Sequence, residues 1–278
     1  MNEKLNGDNV SIVEKGKLSP DCTVDVRKFR YFVFFSYDGS AYHGWQIQPN
    51  ARSVQESLNK ALTTLLREPI ETVGAGRTDT GVNAAFMAAH FNCASRQDTL
   101  WLKDKLNRLL PQDIAVDCVR RVKDRAHARF DAKARTYHYH VYTKKNPFLR
   151  HFATRLRFVP DFDLMNLAAL ELLKVRDFTS FSKLHTDVKT NNCNVMLARW
   201  VQEGDDLWRF EITADRFLRN MVRAVVGTLL EVGRGRMTIA QFCDVIACKN
   251  RCAAGDSVPG NALSLVRIDY PEELFCED

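Results

Sequence analysis

The apolar and polar positions of this chain alternate between two periods, short continuous or alternating apolar runs and longer runs with helical spacing. Phe29 to Tyr37 is an almost unbroken aromatic and β-branched run, which predicts a strand buried on both faces and ended by the turn signal Asp38-Gly39-Ser40. Ser53 and Glu56 have the spacing of a capping box, and Val54, Leu58, Ala61, Leu62, Leu65 and Leu66 keep one helical face until Pro69. A strand near Glu71 to Ala75, a strand at Ala85 to Phe91, a helix at Leu100 to Leu110 stopped by Pro111, and a strand at Ile114 to Val122 complete a mixed first half. The second half repeats the rhythm. Strands are predicted at Thr136 to Tyr142, Val195 to Gln202, Leu207 to Thr213 and Leu263 to Tyr270. Helices are predicted at Leu164 to Val175, at Phe217 to Val232, and after a second capping box formed by Thr238 and Gln241.

Residues 1–28 break this pattern, being polar and aperiodic with five acidic and five basic side chains, and read as a mobile extension. The remaining chain suits two modest units, 29–134 and 135–278, since 278 residues with 45% hydrophobic content can bury a substantial core. No run approaches the length of a bilayer span, and the first nine residues lack the apolar segment of a signal peptide, so the expected location is cytoplasmic. Eight cysteines are scattered without C-x-x-C spacing and are expected as free thiols. Cys243, Cys248 and Cys252 cluster, but inside a helical pattern and without a nearby histidine, so no metal site is expected there.

Charge changes the picture through its placement. The net charge is +6, with Arg120, Arg121, Lys123, Arg125, Arg129, Lys133 and Arg135 in one short stretch and Lys144, Lys145, Arg150, Arg155 and Arg157 soon after. Such a run is either a solvated face or a surface for a polyanion. Phe130, Tyr137, Tyr139 and Tyr142 interleave with it, a combination suited to RNA, whose bases stack while its phosphates are neutralised.

Two places carry candidate chemistry. Gly74-Ala75-Gly76-Arg77-Thr78-Asp79-Thr80-Gly81-Val82 sets a carboxylate on a glycine-rich loop, which is either a tight turn or a loop that lets a large ligand approach the chain. Arg223 falls between the apolar neighbours Val222 and Val225, where it either snorkels at the edge of the stripe or meets a carboxylate or phosphate.

These segments, in order, are similar to the motifs of the TruA family of tRNA pseudouridine synthases. The resemblance runs through Tyr37-Asp38-Gly39-Ser40-Ala41-Tyr42-His43-Gly44-Trp45-Gln46-Ile47-Gln48, Gly76 to Val82, Arg135-Thr136-Tyr137-His138-Tyr139, Asp177-Phe178-Thr179-Ser180-Phe181, and Met221-Val222-Arg223 with Val226-Gly227 and Glu231-Val232-Gly233. It covers roughly residues 29–272. It implies an α/β (α+β) pseudouridine synthase fold of two similar halves around a central antiparallel sheet. It also implies an RNA cleft and a homodimer whose subunits share one tRNA. The activity implied is conversion of uridine to pseudouridine at positions 38, 39 and 40 of the anticodon stem-loop, without metal or organic cofactor. By the same resemblance Asp79 is the catalytic carboxylate, Tyr137 the active-site tyrosine, Arg223 the active-site basic residue, Arg77 the arginine that displaces the target base, and Leu263 an apolar pocket residue. Two departures are local. Arg176 stands where the family commonly has histidine, and the Asn191-Asn192 pair is unusual, which bears on loop contacts and tRNA selectivity.

The residue types suit that chemistry. The N1–C1′ bond breaks, uracil turns and C5 rejoins C1′, so the base must leave its stack and be held throughout. Asp79 would attack the nucleotide or remove a sugar proton, and an Arg223 pairing would keep it ionised. Tyr137 offers a flat face to uracil and a hydroxyl near C5. Two other classes compete. Asp79-Thr80-Gly81 is also the tripeptide of aspartic proteases, whose paired carboxylates a dimer would supply, although Arg77 and Thr78 stand where apolar strand residues are expected. A non-catalytic RNA-binding protein would use the basic segment but not the acid.

Overall fold

The computed structural model describes residues 29–183 and 189–277. The expected extension at 1–28, and part of the unusual segment around Asn191, lie outside the described residues. Nine strands form a single sheet: β1 (Phe29–Tyr37), β2 (Val73–Gly74), β3 (Asn83–Cys93), β4 (Ile114–Val122), β5 (Ala134–Tyr142), β6 (Thr154–Arg155), β7 (Val195–Gln202), β8 (Leu207–Ala214) and β9 (Leu263–Asp269). Five α-helices accompany them: α1 (Val54–Leu66), α2 (Thr99–Leu109), α3 (Phe162–Glu171), α4 (Met221–Gly233) and α5 (Ile239–Ala247). The main path is β4-β1-β3-β9-β5-β8-β7, antiparallel except where β9 runs parallel to β3.

β9 joins the halves. The last strand in sequence lies between β3 and β5, pairing Asn83 with Ser264 on one side and Tyr137 with Leu265 on the other. It thereby links the strand that follows the glycine loop to the strand carrying Tyr137, with one strand between them.

β1 is buried on both faces, as its unbroken apolar run predicts. Phe32 and Phe34 meet Tyr270 and Phe275 of the C-terminal segment at ring-centroid distances of 5.3–6.3 Å. Leu58 and Leu62 of α1 and Leu102 and Leu106 of α2 are buried in the same cluster. A second cluster places Tyr139, Phe210 and Trp200 of the sheet with Met165 of α3 and Val225, Val226 and Leu229 of α4. Each fully buried Val or Leu contributes about 1.5–3 kcal/mol, so α4 is held by its packing rather than by its own propensity.

Several boundaries differ from expectation for local reasons. The helix predicted from Phe217 begins at Met221, because Asn220 adopts the left-handed conformation (φ 67°) and its side chain donates to Ser257 Oγ at 2.6 Å. The helix predicted from Leu164 begins at Phe162, where Asp161 caps it by accepting from Leu164 N–H at 2.8 Å, and it ends in a 3-10 turn at Leu172–Lys174. Thr238 and Gln241 form the full reciprocal box, whereas Ser53 accepts from Glu56 N–H at 3.3 Å. The strand expected at Glu71 to Ala75 shrinks to Val73–Gly74.

The basic, aromatic segment is not one surface. Tyr139 and Tyr142 point into the core, while Arg120 and Arg121 lie over the rings of Phe275 and Phe29. Phe130 is the aromatic of that segment left in solvent, at 74% exposure. Cys93, Cys118, Cys193, Cys243, Cys248, Cys252 and Cys276 are free thiols. Among the described residues no helix is long and apolar enough to cross a membrane, and no group of three or more His, Cys, Asp or Glu is arranged to hold a metal ion.

Candidate active site

Asp79 sits on the loop between β2 and β3, and the loop is clamped from below. Thr78 Oγ1 accepts from Trp45 N–H at 3.0 Å and shares a 2.9 Å hydrogen bond with Tyr37 hydroxyl, so the residue before the carboxylate is fixed to β1 and to the first motif. Gly81 N–H donates to Tyr42 carbonyl at 3.2 Å, and Val82 N–H to Asp79 carbonyl at 3.1 Å. Of the three loop glycines only Gly81 uses the left-handed region (φ 74°). Gly74 is small because the Trp45 indole lies over it, and Gly76 faces open space.

A half-buried arginine anchors the start of the loop. Arg135 donates to the carbonyls of Ala75 (3.0 Å), Arg129 (2.6 Å), Ala132 (3.1 Å) and Asp215 (2.8 Å). It thus ties together the glycine loop, the basic segment and the exit of β8. Asn83 is a buried connector, accepting from Gly39 N–H at 2.8 Å and donating to Asn261 carbonyl at 2.7 Å. These two side chains and Thr78 were not singled out by spacing, because nothing local marks a residue whose partners are distant backbone groups.

Two guanidinium groups face the Asp79 carboxylate. Arg223 Nη1 lies 3.6 Å from Oδ2 and Arg219 Nε lies 3.6 Å from Oδ1. Arg223 is the tethered one: its Nε donates to Val258 carbonyl at 2.7 Å, and its own carbonyl accepts from Val258 N–H at 3.2 Å. Gly227 permits this, since a Cβ there would run into the Asp256 carbonyl and push the 255–258 segment off α4. Arg223 therefore does not pair with Asp79 as a fork. One nitrogen meets the carboxylate and another is occupied by the backbone. Arg219 lies in the turn before α4 and had no assigned role; its spacing of four from Arg223 was the available signal.

Tyr137 completes the constellation from β5. Its ring packs edge-on against Phe217, with centroids 5.1 Å apart, and its hydroxyl is pushed up to about 12 by burial, opposed by the Arg135 charge and reinforced by the Asp79 carboxylate. The hydroxyl is accordingly neutral at physiological pH. Leu263 is buried opposite Tyr139, two pairs along from Tyr137 and therefore on the same face of the sheet. Arg77 is exposed on the loop, two residues from Asp79. Asp79, Arg223 and Tyr137 thus come together, Leu263 lies along the sheet on the face of Tyr137, and Arg77 is exposed on the loop.

This arrangement suits an ionised carboxylate beside a half-buried aromatic face. It does not suit an aspartic protease dyad, in which two carboxyl groups share one proton, because here the neighbours of Asp79 are cations. The Asn191-Asn192 pair serves the neighbouring loop: Asn191 donates to Thr179 Oγ1 at 2.9 Å and accepts from Phe178 N–H at 3.0 Å, and Asn192 bridges Asp177.

Comparison with known proteins identifies the family of the chain. The family described as tRNA pseudouridine synthase matches residues 33–131 and 168–271. A tRNA pseudouridine synthase A from Bacteroides thetaiotaomicron is 59% identical over 251 residues, covering 90% of this chain and 93% of the relative. Relatives of the same name from Porphyromonas gingivalis (50% identical, 88% and 99% covered) and Bacillus licheniformis (40% identical, 84% and 96% covered) extend the likeness. With the family match spanning most of the chain and a relative 59% identical over 90% of it, the chain belongs to the tRNA pseudouridine synthase family.

Proposed function

We propose that this protein isomerises uridine to pseudouridine at positions 38, 39 and 40 of the tRNA anticodon stem-loop, with Asp79 as the carboxylate that acts on the reacting nucleotide. The observation that carries this reading is the Asp79 carboxylate held between two guanidinium groups beside the Tyr137 ring. The relatives named tRNA pseudouridine synthase A support the substrate class and the reaction.

Each residue then has a task. Arg77, exposed at the loop, displaces the target base, and Tyr137 and Leu263 receive the flipped uracil between an aromatic face and an apolar side chain. Asp79 attacks C1′ as nucleophile or takes a sugar proton as base, and Arg223 holds its carboxylate in place. Once the N1–C1′ bond has broken, the retained uracil turns and its C5 bonds C1′, as the Asp79–C1′ bond breaks on the first route or as Asp79 returns the proton to the sugar on the second. The proton on C5 then leaves, and N1 regains one. In this reading the Tyr137 hydroxyl relays the C5 proton.

The reading includes a division into an N-terminal half, 29–134, carrying the Asp79 loop and a C-terminal half, 135–278, completing the cleft. It also includes the homodimer sharing one tRNA, which rests on the family resemblance, and a cytoplasmic location, where tRNA is processed. No metal or organic cofactor is assigned a task. The test is mass-spectrometric mapping of pseudouridine, after base-specific labelling, in an unmodified tRNA transcript with uridines at 38 to 40, treated with wild-type protein or Asp79→Ala. Label at those positions with wild type alone is expected. Equal label with both proteins, or none with either, contradicts the reading.

A further inference from the structure

Asp79 has two cationic partners, and they are held in different ways. Arg223 is 23% exposed, lies within α4 and is tethered through Nε to the Val258 carbonyl. Arg219 is 55% exposed, and Asp79 is the sole partner of its side chain among the described residues. It meets the carboxylate through Nε, so its two terminal nitrogens are unengaged among the described residues. Its root is nevertheless fixed: its carbonyl accepts from Lys183 N–H at 3.0 Å, and the next residue, Asn220, is locked by Ser257. Two residues before it, on the same turn, Phe217 packs against Tyr137. Arg219 is therefore a half-exposed side chain on an anchored backbone at the edge of the site.

We propose that Arg219 is an exchangeable cation that leaves Asp79 when RNA is seated and grips a backbone phosphate beside the target nucleotide, leaving Asp79 paired with Arg223 alone. This rests on the reading of Asp79 as the reacting carboxylate. Departure of Arg219 leaves Asp79 Oδ1 without its cationic partner and open to the reacting nucleotide, while Oδ2 keeps Arg223. A half-exposed ion pair at 3.6 Å is held weakly, and a phosphate offers an arginine two oxygens in a matching fork. The exchange makes the reactive state of Asp79 depend on bound substrate.

The experiment compares wild type, Arg219→Ala, Arg219→Lys and Asp79→Ala on the same unmodified tRNA transcript, measuring pseudouridine formation and tRNA affinity over a salt series. Arg219→Ala is expected to raise KM about tenfold and lower the slope of log affinity against log salt by about 0.7, the loss of one phosphate contact, with kcat reduced less than about threefold. Arg219→Lys, which keeps a point charge, is expected to restore the slope. An unchanged salt slope in Arg219→Ala, or a loss confined to kcat, overturns the proposal and makes Arg219 a fixed support of the carboxylate. If wild type forms no pseudouridine, or Asp79→Ala forms as much, the reading of the site itself fails and the Arg219 exchange with it.

Discussion

Arg223 and Asp79 meet across the two halves of the sequence, Nη1 to Oδ2 at 3.6 Å, with the guanidinium pinned from behind by the Val258 carbonyl. The carboxylate is thus oriented by a cation that cannot drift, because α4 and the 255–258 segment hold it from both sides. A lysine has one charged nitrogen and cannot serve both the Val258 carbonyl and Asp79. Arg223→Lys should therefore lower kcat for pseudouridine formation by about tenfold or more, with a smaller change in KM. A near-normal kcat in single-turnover assays would contradict the ion pair.

Thr78 fixes Asp79 from the other side. Its hydroxyl meets Trp45 N–H and Tyr37 hydroxyl, and Thr78→Val keeps the shape while removing both bonds. Denaturant unfolding should show a loss of about 1–2 kcal/mol, and kcat should fall roughly tenfold through misplacement of the neighbouring carboxylate. Lost stability with full activity would show that the clamp serves folding alone.

Tyr137 separates two roles through two variants. Tyr137→Phe keeps the ring against Phe217 and removes the hydroxyl, so kcat should fall about 10²-fold with KM little changed. Tyr137→Leu also removes the aromatic face and should raise KM in addition. Equal kinetics for the two variants would argue that the ring contributes nothing to holding uracil.

Stability should fall in acid through His90. The side chain is 5% exposed, its Nδ1 accepts from Ala128 N–H at 3.1 Å, and its pKa is lowered to about 3 by burial and by the charges of His127 and Arg30. The unfolded chain binds a proton near pH 6.5 that the folded chain refuses until about pH 3, so stability is full above pH 6.5 and declines as pH falls through that window. The slope from this group should approach about 1.4 kcal/mol per pH unit below pH 6. His127, lowered in the same direction by burial, adds to it. His90→Gln should flatten the profile between pH 6.5 and 4 in denaturant titrations, and an unchanged profile would place the acid sensitivity elsewhere.

The elements with strong periodicity were legible in the chain itself. β1, β4 and β7 have the bounds their apolar runs predict, because each run is flanked by polar or turn residues and its burial is decided locally. The position of β9 was not legible, since its insertion between β3 and β5 depends on pairing with strands far away in sequence. The start of α4 was misread because Asn220 adopts a left-handed conformation that apolar spacing does not register. At the site, Asp79 and Arg223 stood out as a carboxylate on a glycine loop and a cation in an apolar stripe. Arg219, Thr78 and Arg135 did not, because their importance lies in partners that only the folded chain brings near. The aromatic side chains of the basic segment divided because Tyr139 and Tyr142 lie on β5 and are buried in the core, whereas Phe130 lies in the turn before that strand.

The decisive measurement is single-turnover pseudouridine formation by Asp79→Asn alongside its tRNA affinity. Asparagine keeps the size of the side chain and removes the charge that Arg223 faces. Turnover should fall roughly 10³-fold or more while affinity stays within about a few fold of wild type, because phosphate contacts supply binding and the carboxylate supplies chemistry. Substantial turnover by Asp79→Asn, or a collapse of affinity in step with the rate, would contradict the assignment of Asp79 as the reacting carboxylate.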